Sequence, residues 1–201
     1  MHLRIFWAAA IGLLATATPA AAAAIHRPQS ARPDTKAMVI QLRDLPTGFG
    51  LEQGHYVSNT QLVETTSTNK DYRKLGRLTG YYTAYTTLGV GGLTAVSSFA
   101  SIYKLGSGAH ESLVLSLAQA KKQSGFVFKP RSAVASLGSE ARIYLQEAKQ
   151  NGKTVDFYTV AWRNGPVFAE VMGAGLSGTV DPIQVVALAK RQDSRIEKTL
   201  S

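Results

Sequence analysis

Apolar residues dominate the start of the chain. From Ile5 to Ala15 they run almost without interruption, behind Arg4 and ahead of Pro19 and the alanines Ala20 to Ala24. A bilayer span needs about 20 apolar residues, so the run is short for an anchor. It has instead the layout of a secretory signal peptide: a basic start, an apolar middle and a small-residue cleavage region. Residues 1–24 are expected to be removed, with cleavage between Ala20 and Ile25. A flexible lead-in over 25–34 follows, containing Pro28 and Pro33, and then one globular domain over 35–201.

Beyond the lead-in the pattern alternates between helical and strand periods. Met38, Val39, Leu42 and Leu45 are spaced as on a helix over 35–45, ended by Pro46. Phe49 to Val57 reads as a short strand. The polar stretch from Asn59 to Gly76 has a helix start at Asn69-Lys70-Asp71. Tyr81 to Leu88 and Thr94 to Lys104 alternate about a glycine-rich turn at Gly89 to Gly92, which predicts a hairpin. Ser107 to Ser124 reads as a helix capped by Ser107 or Gly108, with Glu111 in its first turn and the stripe Ala109, Leu113, Leu117, Ala120.

Three further strands follow, at Ala141 to Ala148, Val155 to Arg163 and Pro166 to Ala174. They are linked by Asn151-Gly152 and Asn164-Gly165, dipeptides that accept the positive φ of tight hairpins. Asp181-Pro182-Ile183-Gln184 opens a last helix with a capping residue, a proline at its first position and a capping-box glutamine. Its buried face is expected at Val185, Leu188, Ala189, Gln192 and Ile196. The order predicts an α+β domain: a mostly antiparallel sheet of five to six strands with helices packed on it.

Composition narrows the chemistry. The 201 residues contain no cysteine and carry 22 Lys+Arg against 13 Asp+Glu, a formal charge of +9. Disulfides, thiolate metal sites and thiol nucleophiles are excluded. No later stretch is long and apolar enough to span a membrane, so none is expected once the signal is removed. The positive balance favours anionic partners. Lys70, Arg73, Lys74 and Arg77 recur at spacings that a helix would gather on one side, and they are the candidate ligand-binding residues. Nucleic acid is not expected, because the chain is exported and lacks a nucleic-acid-binding motif.

Several segments together resemble a family of uncharacterised secreted bacterial proteins. Leu42-Arg43-Asp44-Leu45-Pro46-Thr47-Gly48-Phe49 is similar to its DLPxGF-type opening. Gly76 to Tyr81, Gly138 to Arg142, Trp162 to Gly165 and the Ala189 to Ile196 helix look like the rest of the pattern. The resemblance implies a PsbP-like α/β sandwich, a scaffold for binding and accessory roles, with a cystatin- or NTF-like curved sheet as the alternative. It implies no activity and no ligand residues.

Lys104 to Glu111 places Gly-x-Gly between strand and helix, but Glu111 stands where a dinucleotide site needs glycine. There is no Gly-x-Ser-x-Gly elbow. Histidines His26, His55 and His110 are far apart and show no metal-binding spacing. Glu140, Glu147, Asp156 and Glu170 fall on or near neighbouring strands and could form a carboxylate pair, with Glu140 the first to inspect. Tyr81, Tyr82, Tyr85, Tyr103, Tyr144, Tyr158 and Trp162 lie on expected strands, where they either fill the core or line a groove. The sequence thus predicts no catalytic residue, metal or cofactor. Its leading reading is an exported, soluble, non-enzymatic binding or accessory domain of unknown ligand that associates with anionic envelope components. The alternatives are a small exported hydrolase with a site assembled from distant residues and an interaction module pairing through a sheet edge.

Overall fold

A computed structural model describes residues 33–66, 70–89, 91–132 and 137–201. The expected signal peptide and nearly all of the lead-in lie outside these residues. The expected helix over 35–45 is instead a short α1 (Thr35–Met38) and a 3-10 turn at Leu42–Asp44. Between them the chain is extended, because its backbone is used by the sheet. Ile40 donates its N–H to Ser98 Oγ (3.0 Å) and accepts from the Tyr85 hydroxyl (2.8 Å).

Strand β1 (Phe49–Tyr56) forms as expected, but the following segment is reorganised. Helix α2 runs from Asn59 to Thr66, earlier than the expected start at Asn69. Its signal is a capping box: Ser58 N–H donates to Gln61 Oε1 and Gln61 N–H donates to Ser58 Oγ. Residues 71–76 form tight turns closed by Lys74 N to Asp71 O, Leu75 N to Tyr72 O and Gly76 N to Arg73 O.

Next come β2 (Arg77–Thr87), β3 (Ala95–Tyr103), α3 (Gly106–Lys122), β4 (Val127–Arg131), β5 (Glu140–Gln150), β6 (Lys153–Asn164), β7 (Val167–Leu176) and α4 (Pro182–Leu200). The fold is α+β as expected. The described residues hold seven strands, however, in one antiparallel sheet of order β1-β2-β3-β7-β6-β5-β4, so the five-to-six count is corrected. The extra strand is β4, where Pro130 and the cations Lys129 and Arg131 mask the strand signal. Proline is tolerated because β4 pairs only with β5, leaving its other edge open.

Both late hairpins turn where expected, with Asn151 (φ 50°), Gly152 (φ 75°) and Gly165 (φ 54°) left-handed. Asp181 caps α4 through Ile183 N (2.8 Å), and Val185, Leu188, Ala189, Gln192 and Ile196 are all buried. The cap of α3 differs from expectation. Leu105 occupies the cap position without a side-chain bond, and Glu111 lies beyond the first turn. Gly108 serves a packing need, since a Cβ there would stand 2.1 Å from the Leu75 carbonyl oxygen.

Two helical layers cover the sheet. On one face, α1 and α4 pack over Tyr81, Tyr85, Val96, Ala100, Val160 and Trp162. On the other, α2 and α3 pack over Tyr82, Phe99, Tyr103, Ala161 and Phe168. Successive side chains along each strand alternate between these faces, so the polar residues of β5, β6 and β7 divide cleanly between them.

Candidate functional site

The basic cluster read from the sequence does not form one helical face. Lys70, Arg73 and Lys74 are exposed on or beside the 71–76 turns, and Arg73 pairs with Asp71 (3.1 Å). Arg77 opens β2 and is buried. Its guanidinium donates to Ser101 Oγ, to Asn59 Oδ1 (3.0 Å) and to the Val57 carbonyl (2.8 Å), tying β1 and α2 to the sheet. Gly80 leaves the space, since a Cβ there would come within 2.4 Å of Arg77 Nη2. Burial lowers the Arg77 pKa, with Tyr103 and Tyr72 partly opposing the shift. An inward cation so engaged offers nothing to an external ligand, which removes Arg77 from the candidate surface.

Glu140 lies in an ion cluster joining α3 to the sheet. Its Oε2 contacts His110 Nδ1 (2.8 Å) and accepts from Arg163 Nε (3.2 Å), and its Oε1 accepts from Arg142 Nη2 (2.8 Å). The His110 hydrogen bond, followed by that of Arg163, holds the carboxyl below its ordinary range against some desolvation. Among the described residues, no hydroxyl is bonded to the other His110 ring nitrogen. The cluster saturates its carboxylate and fastens α3.

The remaining expected carboxylates are not paired for acid–base work. Glu147 and Asp156 face each other across β5 and β6, but Glu147 is held by Lys129 (2.6 Å) and Asp156 accepts from Gly178 N (3.1 Å). Glu140 and Glu170 share the α3 face, two strands and one side-chain row apart. The Glu140 carboxylate is already taken up by His110, Arg142 and Arg163. No group of three metal-capable side chains occurs among the described residues.

Glu170 is the exception. It sits in β7, the middle strand of the sheet, and between Val167 and Gly175 it alone is not buried. Protein crowds its carboxyl closely, yet part of its surface stays open to water. From α3, Ser116 Oγ donates to Glu170 Oε2 (2.9 Å).

Register fixes its neighbours on the sheet. The row through Glu170 reads Tyr82, Phe99, Glu170, Ala161 across β2, β3, β7 and β6. The adjoining row reads Ser97, Met172, Thr159, Tyr144 across β3, β7, β6 and β5. The buried surroundings of the acid are therefore aromatic and hydroxyl-rich, with the small Ala161 beside it.

Burial dominates the electrostatics here. It raises the Glu170 pKa above the carboxylate range, with the Ser116 bond opposing. Tyr82 is pushed up to about 12, mainly by burial and against its hydrogen bond to Ser97. Tyr144 is pushed up further by burial and the nearby Glu170 charge, against bonds to Ser116 and Thr159. Glu170 forms no ion pair among the described residues. The sequence signal for this site was a lone acid inside the otherwise apolar run Val167 to Leu176, on a strand covered on both faces.

No family model matches the chain, and no curated protein matches it. Among solved structures, its fold is similar to the extracellular domain of PknH from Mycobacterium tuberculosis, with a TM-score of 0.58 and 8% identity, over 83% of this chain and 98% of that one. No described helix is long and apolar enough to cross a membrane.

Proposed function

We propose that this protein is an exported, non-enzymatic binding domain whose ligand site is the region between α3 and the sheet at Glu170. The observation that carries the reading is a half-buried acid in the middle of the central strand, among buried neighbours and without an ion pair among the described residues. Tyrosines, serines and a threonine around a carboxyl form the sparse polar set in an apolar surround that small-molecule sites use. The fold shared with an extracellular domain and the signal-peptide layout of residues 1–24 support action outside the cytosol. The helix–sheet–helix layering accords with a PsbP-like scaffold, and membership of the secreted family with the DLPxGF-type opening belongs to the same proposal.

The test is ligand recovery. Protein purified without denaturation from its native host should release a small molecule in stoichiometric amount on unfolding, identified by mass spectrometry. Ser116→Trp, which removes the hydroxyl on Glu170 and crowds it with a large ring, should release none. Wild-type protein that is empty, or a molecule retained equally by the tryptophan variant, would overturn the assignment.

A second reading concerns the surface. Lys70, Arg73 and Lys74 are exposed on one short segment, and Lys104 adjoins it through Lys104 N to Gly76 O (2.9 Å). We assign this ledge to an anionic envelope component. Retention on anionic vesicles should fall steeply with salt, and salt-independent retention would remove the assignment.

A further inference from the structure

We propose that this chain forms a two-fold dimer in which the open edge of β1 pairs, antiparallel, with β1 of a second copy. The inference goes beyond the Glu170 reading and does not depend on it.

The two ends of the sheet differ. At one end, β4 carries Lys129, Pro130 and Arg131 within five residues. Charge and proline are what edge strands carry when they are kept from pairing. At the other end, β1 pairs only with β2 among the described residues. Its eight residues include no proline, lysine or arginine, in a chain with a formal charge of +9. Every residue from Gly50 to Tyr56 is exposed, and Leu51 and Tyr56 keep 60% and 56% of their surface open. Successive side chains point to opposite faces, so neither helical layer covers this strand.

Register says which strand fits that edge. Val57 donates its N–H to the Gly80 carbonyl (2.9 Å). By alternation His55 and Gln53 also face β2, and Gly54 and Tyr56 turn their N–H and C=O groups outward. Between Leu51 and Gln53 the strand gains one residue, a bulge at Glu52. Before the bulge, Thr87 is engaged with Thr94 on the β3 side, so Thr86 and its partner Gly50 face each other, and Phe49 and Leu51 face outward. The free backbone groups therefore fall at Phe49, Leu51, Gly54 and Tyr56, with a step of three in the middle where a regular strand has a step of two. A straight strand cannot follow that step. A second copy of β1, run antiparallel, carries the same step at the same place.

Seated in this way, Phe49 comes opposite Tyr56 of the second copy, Leu51 opposite Gly54, Gly50 opposite His55 and Glu52 opposite Gln53. Each pair occurs twice, as an isologous two-fold contact requires. The outward pairs can exchange backbone bonds along the whole strand. Exposed Leu51 covers a bare glycine, and no like charges stand directly opposite.

The test is sedimentation equilibrium of the purified protein from about 10 μM to about 1 mM, the range expected of a small interface. Wild type should pass reversibly from monomer to dimer, and more readily at higher salt, because two cationic copies repel. Leu51→Lys should weaken the dimer about tenfold or more, whereas Val114→Lys, at an exposed apolar position on α3, should dimerise as wild type does. Wild type that stays monomeric, a dimer that dissociates as salt rises, or a Leu51→Lys variant that dimerises like wild type overturns the proposal. Growth beyond the dimer, which β1 seating on β4 of the next copy would give, overturns it too. Register is read by disulfide formation, since the chain has no cysteine of its own. A Cβ at Gly50 meets open space, and His55 is exposed. Gly50→Cys mixed with His55→Cys under oxidised glutathione should give a linked dimer. Either variant alone should give little, because each residue and its own copy would lie five positions, on the order of 17 Å, apart. No linked dimer from the mixture, or equal linkage of each variant with itself, overturns the pairing.

Discussion

The two faces of the sheet bury their polar groups differently. Under α4, Ser98, Gln192 and Asp193 are closed on partners, while Thr35 Oγ1, Asp156 Oδ1 and Arg195 Nε have none among the described residues. Ser98 donates to Gln192 Oε1, Gln192 Nε2 donates to the Phe99 carbonyl (2.9 Å), and Ser98 Oγ accepts from Ile40 N. Asp193 gathers the Trp162 indole, Asn164 and Gly138 N. Under α3, Glu170 keeps an oxygen without a protein donor, and Arg77 is buried with neutral acceptors only. Saturated polar networks specify a fold, whereas polar groups with unused capacity are expensive to bury. The α4 face therefore holds a closed polar network at its centre, whereas the half-buried acid of the α3 face takes a single serine hydroxyl.

Substitutions on the two faces should separate this contrast by size and by sign. Trp162→Ala, which empties a fully buried site under α4, should cost about 3–5 kcal/mol in denaturant unfolding. A loss under 1 kcal/mol would contradict the tightly packed α4 face. Asp193→Ala leaves three donors without their acceptor and should cost roughly 2–4 kcal/mol by the same assay. Wild-type stability retained there would show those bonds to be replaceable by water.

The acids under α3 give smaller effects of opposite sign. Glu140 has its pKa lowered on folding from 4.5. It contributes stability above that value, and the contribution is lost as pH falls through the lowered pKa. Glu140→Gln should therefore destabilise by about 1–2 kcal/mol at pH 7 and by less in acid. Glu170 has its pKa raised from 4.5. It brings no penalty well below 4.5, and its cost grows as pH rises from there to the folded-state value, then levels off. Glu170→Gln should leave stability unchanged in acid and raise it by roughly 0.5–1.5 kcal/mol at pH 7. Parallel pH profiles for the two glutamine variants would erase the distinction drawn between these acids.

Much of the scaffold could be read from local chemistry. Asn151-Gly152 and Asn164-Gly165 specify their turns because left-handed backbone is cheap for those residues. Asp181-Pro182 fixes the start of α4 by a cap and a preset φ. Misreadings arose where tertiary demands prevailed. Lys70 to Arg77 has helical charge spacing, but the sheet recruits Arg77 into β2 and leaves the rest in turns. The real helix signal lay upstream in Ser58 and Gln61. Pro130 concealed β4 because an edge strand can dispense with an N–H.

Site residues were less legible than elements for a geometric reason. Glu170, Ser116 and Tyr144 meet only because β5, β6 and β7 stack in register beneath α3. No spacing within the chain encodes that meeting. The acid within Val167 to Leu176 was visible, but its lack of a cation was not.

Carbon-13 NMR titration of the glutamate side-chain carboxyls reaches the contrast most directly, because Glu140 and Glu170 are read in one sample. Glu170 should titrate above 4.5 and Glu140 below it. A Glu170 midpoint at or below that of Glu140 would mean that the α3 face stabilises the Glu170 charge, and the distinction drawn between the two acids would fail.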